Sequence, residues 1–256
     1  MRGNSATRST LAAALALIFL LPFVVLVLQA FADSWTAPAL LPQEFGLRGF
    51  RDGFAGGGAG AALVRSLQVA LVVTVLSLVI AWPAARVIGE RRLRHPGPVI
   101  LLLAVPVLIS PFAIGTGLTG WFVRLGLTDS VEGLILGHLV FSLPYAILVL
   151  STGFGSGLRH SEEMAASIGL GSFRRLLMVT FPEVRPTLSV AALLAFLVSW
   201  SQYGSSLAIS GGSPTLPVVL LPFVGSDAQV AAALSILFLA PAIVALALAG
   251  RAGHFR

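Results

Sequence analysis

The residues best suited to chemistry lie between Leu158 and Pro186. The stretch reads Arg159-His160-Ser161-Glu162-Glu163-Met164-Ala165-Ala166-Ser167-Ile168-Gly169-Leu170-Gly171-Ser172, then Phe173-Arg174-Arg175-Leu176-Leu177-Met178-Val179-Thr180-Phe181-Pro182. Ser161 can cap a helix, and Glu162 and Glu163 then fall in its first turn, where the helix dipole favours acids. The small residues Ala165 and Ala166 follow. Gly169 and Gly171 stop the helix, because glycine takes the left-handed conformation without steric cost. Ser172 can open a second short helix, which Pro182 limits. The expected product is a pair of short helices about a glycine bend. On residue types alone such a pair either lies on a membrane surface or docks a partner.

Two further sets of polar residues recur at helical spacing. Ser199, Gln202, Tyr203 and Ser206 stand at i, i+3, i+4 and i+7, so one helix would carry them on one face. His138, Ser142 and Tyr145 stand at i, i+4 and i+7. At membrane depth such faces either line a watery pathway or hydrogen-bond between helices. His138 reads as a structural donor near the outer end of its helix, because a lone histidine makes no metal site.

Other chemistries are excluded by residue type. Cysteine is absent, which removes a disulfide scaffold, a thiolate metal site and a cysteine nucleophile. All 16 basic side chains are arginine, so there is neither a Walker A lysine nor a Schiff-base lysine. No His-Glu-x-x-His occurs, and Gly155-Ser156-Gly157 misses the Gly-x-Ser-x-Gly spacing. A net charge of +6 could suggest nucleic-acid binding, but the arginines sort by membrane side instead of clustering on one face.

The elements that must position these residues are membrane spans. Of the 256 residues, 57% are hydrophobic and 10% charged, and the mean hydropathy is +0.96. A water-soluble globule has about 25% charged residues. Six apolar stretches are long enough to cross a bilayer, at 10–31, 62–87, 98–122, 133–156, 187–209 and 228–250. None has an Asp, Glu or Arg at its middle. Arg65 and Arg86 lie near span ends, where a long side chain can snorkel. With the N-terminus inside, Arg48, Arg51, Arg65 and Arg124 fall outside and the other 12 arginines, Arg2 to Arg256, fall inside. This positive-inside bias places both termini in the cytoplasm.

The end of the first stretch, Ala30-Phe31-Ala32-Asp33, resembles a signal-peptidase site, but the run is longer than the 7–15 residues of a signal core, so an uncleaved helix is expected. The glycine-dense stretch within 33–61 is expected to be a flexible linker. Pro106, Pro111, Gly115, Gly117 and Gly120 predict a bent third span.

The 158–186 stretch resembles the EAA loop of permease subunits of ABC importers. That pattern runs Glu-Ala-Ala, three residues, Gly, nine residues, Ile, one residue, Leu-Pro. Glu163, Met164, Ala165, Gly169, Val179, Phe181 and Pro182 stand at the matching offsets, with Met164, Val179 and Phe181 as substitutions. Arg65-Ser66-Leu67-Gln68-Val69-Ala70 and Trp82-Pro83-Ala84-Ala85 resemble the opening core span, and Gly211 to Val218 the outer loop before the last.

The resemblance implies an all-α membrane protein with six transmembrane helices. It has a type I (MetI-like) permease core at 62–250, an extra N-terminal helix and outer linker at 1–61, and a cytoplasmic tail at 251–256. Glu162, Glu163, Ala165, Ala166, Gly169, Val179 and Pro182 then form the ATPase-coupling element. Its acids would pair with basic groups of the partner, its alanines would allow close approach, and Gly169 would set the exit angle. ATP and Mg sit on the partner ATPase, and this chain binds no cofactor or metal. The other implied partners are a second permease subunit, the same or homologous, a periplasmic or lipid-anchored solute-binding protein, and membrane lipid. The implied location is the bacterial inner membrane. The solute resembles those of polyamine, ferric iron, thiamine or sulfate permeases, and Ser142, Tyr145, Ser199, Gln202, Tyr203 and Ser206 are candidates for the path. An ion-coupled secondary transporter or a channel is the alternative, although no span carries a mid-membrane acid.

Overall fold

The structure, a computed structural model, describes residues 5–56 and 58–253. Arg2 and Arg256, used in reading the orientation, lie outside the described residues, as do Gly57 and residues 254–256 of the tail. Apolar stretches form helices because a helix satisfies every backbone group within itself, which lipid requires. In chain order they are α1 (Ser5–Ala30), α2 (Arg48–Ala55), α3 (Gly58–Gly89), α4 (Pro96–Leu108), α5 (Pro111–Arg124), α6 (Val131–Ser151), α7 (Ser156–Ser167), α8 (Ser172–Arg175), α9 (Phe181–Trp200), α10 (Gly204–Ile209), α11 (Leu216–Ser226) and α12 (Ala228–Gly253). A two-stranded antiparallel ribbon joins β1 (Ala32–Ser34) to β2 (Glu44–Phe45). Leu17 and Phe19 on α1 are 64% and 70% exposed, an apolar surface that belongs in lipid.

Among the described residues, five helices are long and apolar enough to span a membrane, and the bent pair α4–α5 makes a sixth if it counts as one crossing. The bend expected in the third span is a full break of 97°. Ile109 and Ser110 are extended there, because the residue before Pro111 is pushed out of the helical region. The fifth stretch also differs from a single helix. It is helical from Ser172, continues through a π-turn at Leu176–Thr180 into α9, and breaks after Trp200 before α10.

Contacts divide the chain into two compact units. One comprises the chain up to Ala61 with Val219–Ala240; the other comprises Ala62–Val218 with the chain from Pro241 onward. In the first, the segment ahead of the glycine-dense stretch is folded; of that stretch, Gly58 opens α3 and Gly57 lies outside the described residues. α2 lies against the start of α12 because Gly49 and Gly53 carry no side chain there: a Cβ at Gly49 would stand 2.5 Å from the Gln229 carbonyl oxygen. Ala30, Ala232 and Ala233 form the core beside them, with Phe50 packed on it. Arg48 donates to both carboxylate oxygens of Asp227, at 2.9 and 3.2 Å, and its backbone N–H donates to Asp33. Asp227 in turn accepts from the N–H groups of Gln229 and Val230, capping α12. The Arg48 hydrogen bond holds the Asp227 carboxyl below its ordinary range, against the effect of burial.

In the second unit, α6 and α9 pack side by side. Ala81, Ala85, Ala146, Ala191 and Ala195 are fully buried around Leu150 and Phe154. Small residues let membrane helices approach closely, and dispersion contacts then hold them.

Candidate functional site

The 155–182 loop is built differently from its sequence reading, although its exit is as expected. α7 starts at Ser156 with Gly155 as its N-cap, so Ser161 sits inside the helix and both glutamates lie past the first turn. The helical chain already begins five residues earlier, which leaves Ser161 no cap to make. At the other end Gly169 has φ +84°. Its N–H donates to the Ala166 carbonyl at 3.0 Å, and the Leu170 N–H to the Ala165 carbonyl at 3.1 Å. That pairing is a Schellman motif, which needs a left-handed residue at this point. Gly171 is not left-handed; with φ −64° and ψ 156° it stands as the N-cap of α8. Pro182 does not end the second helix. In a regular helix its ring would press on the Met178 carbonyl. The π-turn just before it widens the ladder, and the Phe181 N–H reaches back to the Leu176 carbonyl.

The two adjacent glutamates have opposite fates. Glu163 is exposed and paired with Arg159 one turn earlier, at 2.9 Å. Glu162 is only 8% exposed, so it faces its own chain, not a partner. It accepts from the Arg86 guanidinium at the end of α3 and from the Thr180 hydroxyl on the π-turn. This corrects the expectation that both acids face outward; α7 packs against the π-turn, and position 162 points inward to reach the end of α3. Arg86 does not snorkel into headgroups. It bridges Glu162 and Glu90, the latter at 2.6 Å, and lies 6.0 Å from the centre of the buried Phe154 ring. Burial acts to raise the Glu90 carboxyl, but hydrogen bonds and charge from Arg86 and Arg92 outweigh it and hold the group below its ordinary value. A cavity of about 400 Å³ opens between these groups and Arg159, Arg175 and Ala166.

Ala165 is buried inward while Ala166 is exposed, Val179 is half-buried and Pro182 exposed. Met164, Ile168 and Phe173 are also exposed, at 53%, 77% and 73%. This apolar rim escaped the sequence reading; the spacing of Met164 and Ile168, one helical turn apart, was its signal. Arg86 and Thr180 escaped because nothing local ties them to Glu162.

The polar stripes form a buried seam. Ser142, Ser199, Gln202 and Ser206 come together with His138, Ser77 and Ser205, whereas Tyr145 and Tyr203 are half-buried and stand outside its hydrogen bonds. The stripe on the fifth span is not one continuous helical face, because the helix breaks between Trp200 and Gly204. His138 bridges that break: Nδ1 is 3.0 Å from the Ser199 hydroxyl and Nε2 is 2.9 Å from that of Ser206. Donor counting fixes the tautomer. Ser206 spends its one proton on the Gln202 carbonyl, at 2.6 Å, so Nε2 carries the imidazole proton and Nδ1 accepts from Ser199. Likewise Ser142 donates to the His138 carbonyl at 3.0 Å, so Ser77 donates to Ser142. The seam's hydroxyls are thus consumed in joining α3, α6, α9 and α10. At the far end of α3, Arg65 donates to the Pro214 carbonyl at 2.9 Å, and the Leu216 N–H donates to Ser66 at 2.8 Å. The two outer segments that carried the family resemblance therefore touch.

No family model matches the chain. It is 33% identical over 195 residues to an ABC transporter permease protein of Streptomyces antibioticus, covering 73% of this chain and 82% of that one. It is 31% identical over 193 residues to the trehalose transport system permease protein SugB of Mycobacterium tuberculosis, covering 73% and 69%. It is 28% identical over 167 residues to the molybdenum transport system permease protein ModB of Azotobacter vinelandii, covering 60% and 74%. In fold it matches a chain of a bacterial ABC transporter involved in the import of the acidic polysaccharide alginate, with a TM-score of 0.76 over 98% of this chain and 95% of that one, at 17% identity. An all-α multi-pass architecture, a loop with the EAA spacing and relatives of this identity and coverage lead to one family in place of an ion-coupled transporter or a channel: the chain belongs to the permease subunits of ABC importers.

Proposed function

We propose that this chain forms part of the membrane pathway of a solute importer in the bacterial inner membrane, and that α7 and α8 are the surface gripped by a cytoplasmic ATPase. One observation carries the reading. A short helix is fixed to its own spans by the buried Glu162, while Glu163, Met164 and Ile168 face outward. An apolar rim with charge at its edge suits a protein cleft. Without a Walker A lysine in this chain, ATP and Mg belong to the partner. Hydrolysis then moves α7 as a rigid element and switches the spans between inward- and outward-open states. Both termini lie on the same cytoplasmic side. A second permease subunit completes the path, and an external binding protein hands over a small solute. In this reading Ser142, Ser199, Gln202 and Ser206 act as joints between the spans that surround the path, and Tyr145 and Tyr203 are the side chains free to border it.

The test is affinity purification from native membranes with identification of the co-purifying chains. An ATPase subunit is expected with the natural chain and lost with Glu163→Arg, while the amount of inserted permease is unchanged. Recovery of the permease without any ATPase, under conditions where the system is expressed, would overturn the assignment.

A further inference from the structure

We infer that Arg86, Glu162 and Thr180 form a buried brace that makes α7, the end of α3 and the start of α9 move as one lever, with Thr180 as the positioning residue. The inference rests on the docking role proposed for α7. Glu162 uses one carboxylate oxygen on the Arg86 guanidinium and the other on the Thr180 hydroxyl. Thr180 is 1% exposed, so its bond to Glu162 is closed to water, while the Arg86 bond borders the cavity between α3 and α7. Hydrogen bonds to a charged group are the strong ones, and a low-dielectric setting strengthens them further. The brace is itself supported. Arg86 is held by Glu90 and by the Phe154 ring, which packs edge-on against Trp82 with centroids 5.2 Å apart.

The π-turn explains how Thr180 reaches its place. A π-turn holds one more residue per turn than the surrounding α-helix and shifts the side chains that follow by part of a turn. Here it presents Thr180 inward, against Glu162, while Leu177 and Met178 stay exposed. A push on α7 is therefore delivered both to α3 and to the root of α9. The hydroxyl, not the bulk, of Thr180 carries this load, so valine and serine separate the two roles.

The experiment uses the complete complex purified from native membranes. The chain has no cysteine, so paired spin labels can be placed at Val87→Cys on α3 and His160→Cys on α7, neither of them a coupling residue, without other changes to this chain. Both positions are exposed. With threonine or serine at position 180, the label distance is expected to stay single and narrow, the same without nucleotide and with ATP and vanadate. With Thr180→Val, the ATPase is expected to remain bound, but the distribution loses its single maximum once ATP and vanadate are added. Glu162→Gln, which keeps the shape but removes the charge, is expected to behave like Thr180→Val. An unchanged narrow distribution in both variants overturns the brace, as does a natural-sequence distance that itself shifts with nucleotide. Loss of the ATPase from the Thr180→Val complex assigns the residue to docking and also overturns it. An ATPase missing even with the natural sequence sinks the docking role instead.

Discussion

Gly169 and Gly171 stand two residues apart, and only the first needs to be glycine. Gly169→Ala forces a side chain into the left-handed region and is expected to cost about 1–2 kcal/mol, whereas Gly171→Ala meets a permitted backbone and costs far less. Thermal unfolding in detergent checks the difference. The acid cluster gives a pH dependence with a definite sign. The Glu90 carboxyl lies below its ordinary value of 4.5, so the stability it contributes is complete above 4.5 and is lost as the pH falls through the lower value it has in the fold. Acid titration of unfolding should show this loss, and Glu90→Gln should remove it. At this scale the sequence was partly readable. Glu163 and Gly169 announced themselves by spacing. Glu162 looked like the twin of Glu163, because its partners Arg86 and Thr180 lie 76 and 18 residues away and only the fold brings them in.

Helices were legible where a single physical requirement decided them. Long apolar runs had to be helical, since lipid offers no partner for a free backbone group. Breaks were harder to read. Pro111 signalled one, but not the size of the 97° turn, where α4 packs on α6 and α5 on α10. The break after Trp200 carried no local signal, because His138 on another helix holds its two sides. Gly49 and Gly53 were unreadable for the opposite reason: glycines that weaken a helix in isolation are what allow α2 to approach α12. Gly49→Leu should therefore overpack that contact by about 1–3 kcal/mol and speed tryptic cleavage after the exposed Arg51.

Across the whole molecule, the proposed orientation with both termini inside predicts that a reporter active only in the periplasm stays silent when fused after Arg256. Family membership was legible because the EAA spacing is long, while the solute was not, since the seam's hydroxyls are spent on joining helices. The extra residue at Leu176–Thr180 has a consequence for the proline that follows. Deleting Leu177 would remove the wide turn, and the Pro182 ring would then press on the carbonyl four residues before it. Five residues in a π-turn advance about as far round the axis as four in an α-helix, so the loop would keep its facing while the helix kinks at the proline. Such a deletion should leave α9 inserted and lower the temperature of unfolding in detergent, a lesion of the ladder and not of the rim.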